Sequence, residues 1–254
     1  MSGANARPTG RSHKVMSTVK LLRTLLHGIE IGARRPLLVR RESIAHIGVK
    51  KRVLFASDLH LRKHGPHHIV DGLVAIAERE CPDVVLLGGD LVDWTSGMEA
   101  LQSLVRKLSR VAPVGAVAGN HDRWIGVARV RAAVLAGGGR WLEDAPWLLT
   151  PDCAVYGSSS QPVQTASYHL LCTHHPGASA MGRHFDLTLS GHLHGGQFVF
   201  YQRHGRLYPG AFLYRWNGLR FDAKDGKTLL ISRGVQDTLP LRFNCPREVL
   251  IVDI

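Results

Sequence analysis

Five short segments carry side chains able to ligate a metal. They are Asp58 and His60 in Ser57-Asp58-Leu59-His60, and Asp90 in Gly88-Gly89-Asp90. Asn120, His121 and Asp122 follow in Gly119-Asn120-His121-Asp122, then His174 and His175 in Thr173-His174-His175-Pro176, then His192 and His194 in Gly191-His192-Leu193-His194-Gly195-Gly196. Carboxylate, amide-oxygen and imidazole donors suit hard and borderline divalent cations. Each segment alone is weak evidence, since Asp-x-His and Gly-Asp are common in turns. Together they offer more donors than one tetrahedral zinc can use, and they fit two cations that share a carboxylate. Such a pair, about 3.5–4 Å apart, clamps a phosphoryl group and activates a water between the ions.

The elements that must position these residues are short buried strands. Val53–Ala56 precedes Asp58, Asp83–Gly88 precedes Asp90, and Val114–Ala118 precedes Asn120. Tyr168–Cys172 precedes His174, and Asp186–Leu189 precedes His192. Strands lying side by side bring the five segments to one sheet edge, where α/β folds place their ligands. Extended backbone points residues i and i+2 the same way, so Asp58/His60 and His192/His194 are expected to act as pairs. Helical spacing predicts helices over Ile69–Arg79, Met98–Arg110 and Ile125–Leu135 between the early strands. Strand patterns dominate after residue 150: Ala154–Tyr156, Gln197–Tyr201, Thr228–Ser232 and Val249–Val252.

Charge divides the chain. Residues 1–52 hold twelve of the 32 Lys/Arg and two of the 20 acids, so the rest is nearly neutral. Residues 1–14 read as a disordered tail, 15–50 as a basic amphipathic arm, and 51–254 as the domain that carries the site. Within the arm, Val15, Val19, Leu22, Leu26 and Ile29 fall at helical spacing, with Lys14, Lys20, Arg23 and His27 largely off that stripe. Over 15–35 this is a helix packed on the body or a partner subunit, or one lying in an anionic membrane surface. The near-neutral body argues against a long nucleic-acid groove. Cys81, Cys153, Cys172 and Cys245 form no metal-knuckle spacing and read as reduced, mostly buried thiols, which points to the cytoplasm. No segment has the length and apolarity of a membrane span.

As an ordered set, Asp-x-His, Gly-Asp, Gly-Asn-His-Asp, His-x-Pro and Gly-His-x-His resembles the calcineurin-like metallophosphoesterase superfamily, over about residues 52–254. The resemblance implies a four-layer α/β sandwich, two mixed sheets flanked by helices. It also implies that Asp58, His60 and His194 bind one divalent metal, Asn120, His174 and His192 a second, and that Asp90 bridges them. Mn²⁺ is the expected ion, with Fe or Zn as alternatives. His121 would contact the phosphoryl oxygen or protonate the leaving group, and Asp122 would orient His121 through a hydrogen bond. His174 is favoured over His175 as the ligand.

The tail, Leu229-Leu230-Ile231-Ser232-Arg233-Gly234, Leu239-Pro240-Leu241-Arg242-Phe243 and Pro246-Arg247-Glu248-Val249, narrows the resemblance. It is similar to the bacterial membrane-associated phosphodiesterases that include a UDP-2,3-diacylglucosamine pyrophosphatase. The chain departs from that branch in carrying a basic arm where a membrane-spanning segment is usual, and Gln236 where glycine is expected. The implied function is hydrolysis of a phosphodiester or pyrophosphate on a lipid-linked substrate, with the protein peripheral to a membrane. Arg233, which follows the strand Thr228–Ser232 near the site, is read either as a contact to substrate phosphate or as half of a surface ion pair. The alternatives are a general or cyclic-nucleotide phosphodiesterase, a nucleic-acid enzyme, and a non-enzymatic scaffold.

Overall fold

The strands that lead to the site are uninterrupted apolar runs, as strands buried on both faces must be. The computed structural model describes residues 28–44, 50–157, 165–177 and 184–254. In chain order these form β1 (Ile29–Ile31), β2 (Leu38–Ser43), β3 (Arg52–Ala56), α1 (His67–Glu80), β4 (Val84–Gly88), α2 (Met98–Leu108), β5 (Val114–Val117), α3 (Asn120–Ile125), α4 (Val127–Ala136) and β6 (Arg140–Trp141). Then follow β7 (Trp147–Thr150), β8 (Cys153–Tyr156), β9 (Tyr168–Cys172), β10 (Leu187–Ser190), β11 (Val199–Arg203), β12 (Arg206–Pro209), α5 (Gly210–Leu213), β13 (Arg220–Asp222), β14 (Thr228–Ile231), β15 (Leu241–Phe243) and β16 (Glu248–Asp253).

Two six-stranded mixed sheets result, ordered β2-β16-β3-β4-β5-β6 and β13-β14-β10-β9-β8-β7. Alternate residues of the first sheet serve two cores. Val53, Phe55, Val84, Leu86, Leu250 and Val252 pack against Val155, Leu170, Leu187, Leu189 and Leu230 of the second sheet. Leu54, Ala56, Val85, Leu87 and Ile251 pack instead against Leu73, Leu101, Leu104 and Val130 of the helices. This is the expected mixed α/β architecture of two packed sheets. Among the described residues, helices cover only the first sheet, and a small cluster of Ala154, Tyr156, Ala166 and Leu171 lies apart from the inter-sheet core.

β3, β4 and β5 are mutually parallel, as are β8, β9, β10 and β14. Their carboxyl ends therefore open toward common edges, and the imidazole of His174, just past β9, bonds the Gly88 carbonyl at the end of β4 at 2.9 Å. The two sheets meet there.

Three expectations change. Residues 15–27 of the expected helix lie outside the described residues, as does the tail 1–14, but Ile29–Ile31 is a strand paired antiparallel with β15. Leu38–Ser43, read as arm, is a full strand of the first sheet, parallel to β16. The helix expected over Ile125–Leu135 is α4, which starts at Val127 after Gly126 (φ 113°), and a separate short helix, α3, precedes it. Of the cysteines, three are buried, while Cys81 is exposed at the left-handed end of α1.

Candidate metal centre

The loop after β3 is zipped onto the loop after β4. Asp58 N–H donates to Gly89 O and His60 N–H to Asp90 O, both at 2.9 Å. Asp58, His60, Asp90, His192 and His194 all have positive φ, between 42° and 73°. The extended-chain reason for pairing Asp58 with His60, and His192 with His194, is thus incorrect. Tight left-handed turns aim these side chains inward instead, a conformation that non-glycine residues hold only when the surroundings impose it. Close approach is also steric. A Cβ on Gly119 would collide with the Asp90 carboxylate, and one on Gly191 would lie 2.5 Å from Asp58 Oδ2.

The side chains converge in overlapping sets whose ligand atoms lie within 4.8 Å of one another: Asp58, His60 and His194; Asp90, His174 and His192; and His60, Asp90 and His121. Asn120 joins the second set, its Oδ1 lying 3.0 Å from His174 Nε2 and 3.0 Å from His192 Nδ1. All seven residues expected as ligands are therefore brought together. His174 is buried among them, whereas the exposed His175 bonds the Tyr214 hydroxyl at 2.6 Å.

The donor chemistry fits cations. His60 Nε2 faces His194 Nε2 at 3.3 Å, and His192 Nδ1 faces His174 Nε2 at 3.1 Å. Ring nitrogens opposed in this way repel unless a proton or metal lies between them. The outer nitrogens are already used: His60 Nδ1 by Asp93 Oδ1 (2.6 Å), His194 Nδ1 by Asp237 Oδ1 (2.9 Å), and His174 Nδ1 by Gly88 O. Such outer bonds fix the ring and leave Nε2 facing inward. Burial pushes the Asp90 carboxyl up, but the hydrogen bond and charge of His174 outweigh it and leave Asp90 at about 2. Burial and the neighbouring His174 hold His192 down at about 4, keeping its lone pair free. Burial alone would lower His174, yet Asp90 and Asp58 raise it to about 9. The field that favours this proton favours a metal cation in its place.

Two expected roles are corrected. Asp122 does not orient His121. Adjacent helix residues point in different directions, and the buried Asp122 carboxylate accepts from the backbone N–H groups of Gly119 (2.8 Å), Leu91 (3.0 Å) and Val92 (3.2 Å). It ties α3 to the loop that carries Asp90. Asp122→Ala is expected to lower stability by about 3–5 kcal/mol, through several buried donors left without an acceptor. Thermal unfolding of the metal-free protein checks this. An unchanged Tm would overturn the structural role. Arg233 is likewise committed elsewhere: its Nε and backbone N–H reach the fully buried Glu248 carboxylate at 2.9 and 3.0 Å. Its guanidinium charge is thus paired with a carboxylate of β16.

Four functional residues escaped the sequence reading. Asp93 Oδ1 contacts both His60 Nδ1 (2.6 Å) and His121 Nδ1 (3.0 Å), and Oδ2 accepts from Arg62 Nε (2.7 Å). It occupies His121 where Asp122 was expected to. Its spacing of three from Asp90, in the same strand-end loop, was the available signal. Asp237 holds His194 and is itself held by Arg242 (2.7 Å) and Arg247 (2.7 Å). Burial raises Asp237, but His194 and Arg242 outweigh it and hold the carboxyl well below its usual range. Arg247 also pairs with Glu30 of β1 at 2.7 Å. Arg242 and Arg247 of the tail motifs thus support a candidate ligand. Finally, Trp94 and Trp124 line an open cleft of about 330 Å³ with Asp93, His121, Ile125 and Thr238.

The family model of the calcineurin-like phosphoesterases matches residues 51–210. "Phosphodiesterase YaeI" of Escherichia coli (strain K12) is 28% identical over 225 residues, covering 80% of this chain and 82% of that protein. An uncharacterized metallophosphoesterase of Aquifex aeolicus (strain VF5) is 27% identical over 230 residues, 82% of this chain and 86% of its own. Among the described residues, no helix is long and apolar enough to cross a membrane. With this match spanning the loops that carry Asp58, Asp90, Asn120, His174, His192 and His194, the chain belongs to the calcineurin-like phosphoesterase family and is a metal-dependent phosphoesterase.

Proposed function

We propose that the centre takes two Mn²⁺ ions and cleaves a phosphodiester or pyrophosphate bond in a lipid-linked substrate such as UDP-2,3-diacylglucosamine. The observation that carries the bond chemistry is the place of Asp90 in two overlapping donor sets, one with His174 and His192 and one with His60 and His121, the second of which shares His60 with Asp58 and His194. Asp58, His60 and His194 would hold one ion, and Asn120, His174 and His192 the other. When bound, the metals supply Lewis-acid polarisation of the phosphoryl oxygens and an activated water.

The protein's own part is positional. Asp93 takes up Nδ1 of His121 and leaves Nε2 for a phosphoryl or leaving-group oxygen. The His121 ring packs 4.9 Å from the exposed Trp124, so the group next to the scissile phosphate meets an apolar wall. The cleft between Trp94 and Trp124 supports a substrate with a bulky apolar or aromatic portion. The E. coli relative, named a phosphodiesterase, supports the diester class.

Hydrolysis of UDP-2,3-diacylglucosamine and of bis-p-nitrophenyl phosphate, each with manganese, tests the reading. Turnover of the lipid nucleotide is the expected result. Cleavage of the simple diester alone would remove the lipid portion and leave a general phosphodiesterase, the second reading, which the relative's name favours.

A further inference from the structure

Between residues 200 and 214 the surface changes character. Phe200 is 66% exposed, Phe212 73% and Leu213 91%, with Tyr201 and Tyr214 also exposed. They lie on the β11–β12 hairpin and on α5, which follows it; the hairpin is a two-stranded sheet separate from both large sheets. The arrangement is ordered: Tyr201 stacks on Tyr208 at 4.6 Å, and Tyr208 meets Phe212 edge-on at 4.9 Å. Exposed apolar side chains gathered on one hairpin and the helix after it mark an interaction site.

Charge identifies the occupant. No acidic residue occurs between Asp186 and Asp222, whereas four arginines do: Arg220, which pairs with Glu42 and Asp222, and the three nearest the exposed face, Arg203, Arg206 and Arg215. Among the described residues none of the three makes an ion pair, and Arg215 lies over the Trp216 ring at 4.4 Å. Aromatic side chains at headgroup depth, leucine and phenylalanine below them and arginines around them are what an anionic bilayer surface takes up. A second copy meeting this face across a two-fold axis would bring arginines against arginines. A nucleic acid would pair with the arginines but leave Leu213 and Phe212 without a partner.

We infer that residues 200–215 form a docking face for an anionic phospholipid bilayer. The face adjoins the metal centre: the Tyr214 hydroxyl bonds His175, whose ring lies 4.5 Å from that of His192. Docking there sets the mouth of the centre beside the membrane surface. The inference deepens the lipid-linked reading, but its test does not depend on any substrate being cleaved.

The test uses the full chain with Cys81→Ser, which removes the exposed thiol, and Leu213→Cys carrying an environment-sensitive fluorophore. Mixed phosphatidylglycerol–phosphatidylcholine vesicles are expected to shift the emission to the blue and raise its intensity severalfold. Vesicles of phosphatidylcholine alone are expected to do much less. The same label at the exposed Glu99, as Glu99→Cys, is expected to stay unchanged. Replacing Arg203 and Arg206 by Gln is expected to weaken vesicle binding about fivefold per arginine. A label at 213 that stays in water while the protein pellets with vesicles would overturn the inference and assign membrane binding to another segment. A blue shift that grows with protein concentration without vesicles would overturn it in favour of a second copy. A response to duplex DNA but not to vesicles would overturn it in favour of nucleic acid.

Discussion

Asp90→Asn is expected to remove two-metal binding and to cut hydrolysis steeply. Asp90 belongs to two of the three overlapping donor sets, one with His174 and His192 and one with His60 and His121, is 2% exposed, and is held ionised at about 2 by His174 against the upward push of burial. Asparagine keeps the shape and one acceptor for the His121 N–H, which now bonds Oδ1 at 2.8 Å. What it removes is the charge that two cations would share. The expected result is at least about a 10³-fold fall in kcat/KM, with bound manganese dropping from two equivalents to one or none. Metal analysis of dialysed protein and a diester assay measure the two effects. Two retained equivalents with a rate within tenfold of the parent would refute the shared-carboxylate assignment.

The second large effect belongs to a residue that touches no expected metal position. Asp93→Asn is expected to lower kcat by about 10²-fold and to weaken manganese binding by about 10–100-fold. One oxygen of Asp93 serves both His60, a candidate ligand, and His121, the candidate acid, while Arg62 holds the other. Burial pushes the carboxyl up, but His60 and Arg62 outweigh it and hold it at about 2. Asparagine can present an amide N–H to one of the two rings, which reverses the polarity that fixes their tautomers. A manganese titration followed by a pH–rate profile separates the two roles. Loss of metal affinity reports His60, and displacement of one limb of the profile reports His121. Asp122→Ala provides the contrast, because its cost falls on the fold. Normal kinetics and normal metal affinity in Asp93→Asn would remove Asp93 from the site.

The donor residues were legible because each follows a strand whose apolar run is unmistakable, and parallel strands bring their ends together. Helices α1 and α2 were legible from spacing alone. Other features depend on contacts between residues distant in sequence. That Asp122 caps backbone N–H groups of another loop follows from where α3 sits, not from its place beside His121. The partner of Arg233 was not legible because Glu248 lies on a strand read only for its apolar residues. β2 was hidden by its charges: Leu38–Ser43, with Arg40, Arg41 and Glu42, has no clean alternation and is fixed by the register of β16, while β1 has only three residues, Ile29–Ile31, and is fixed by its pairing with β15. The left-handed turns at the ligands contradict local preference, as expected where function imposes the backbone.

The position of β16 has a consequence for biosynthesis. This strand lies between β2 and β3, parallel to one and antiparallel to the other, and just before it come Arg242 and Arg247, which hold Asp237 against His194. A ribosome makes these residues after every other part of the centre. Until they emerge, β2 has no neighbour in its sheet and His194 lacks its support. The full donor set, with the support of His194 in place, would therefore be complete only once this last segment has been made, long after Asp58 and His60.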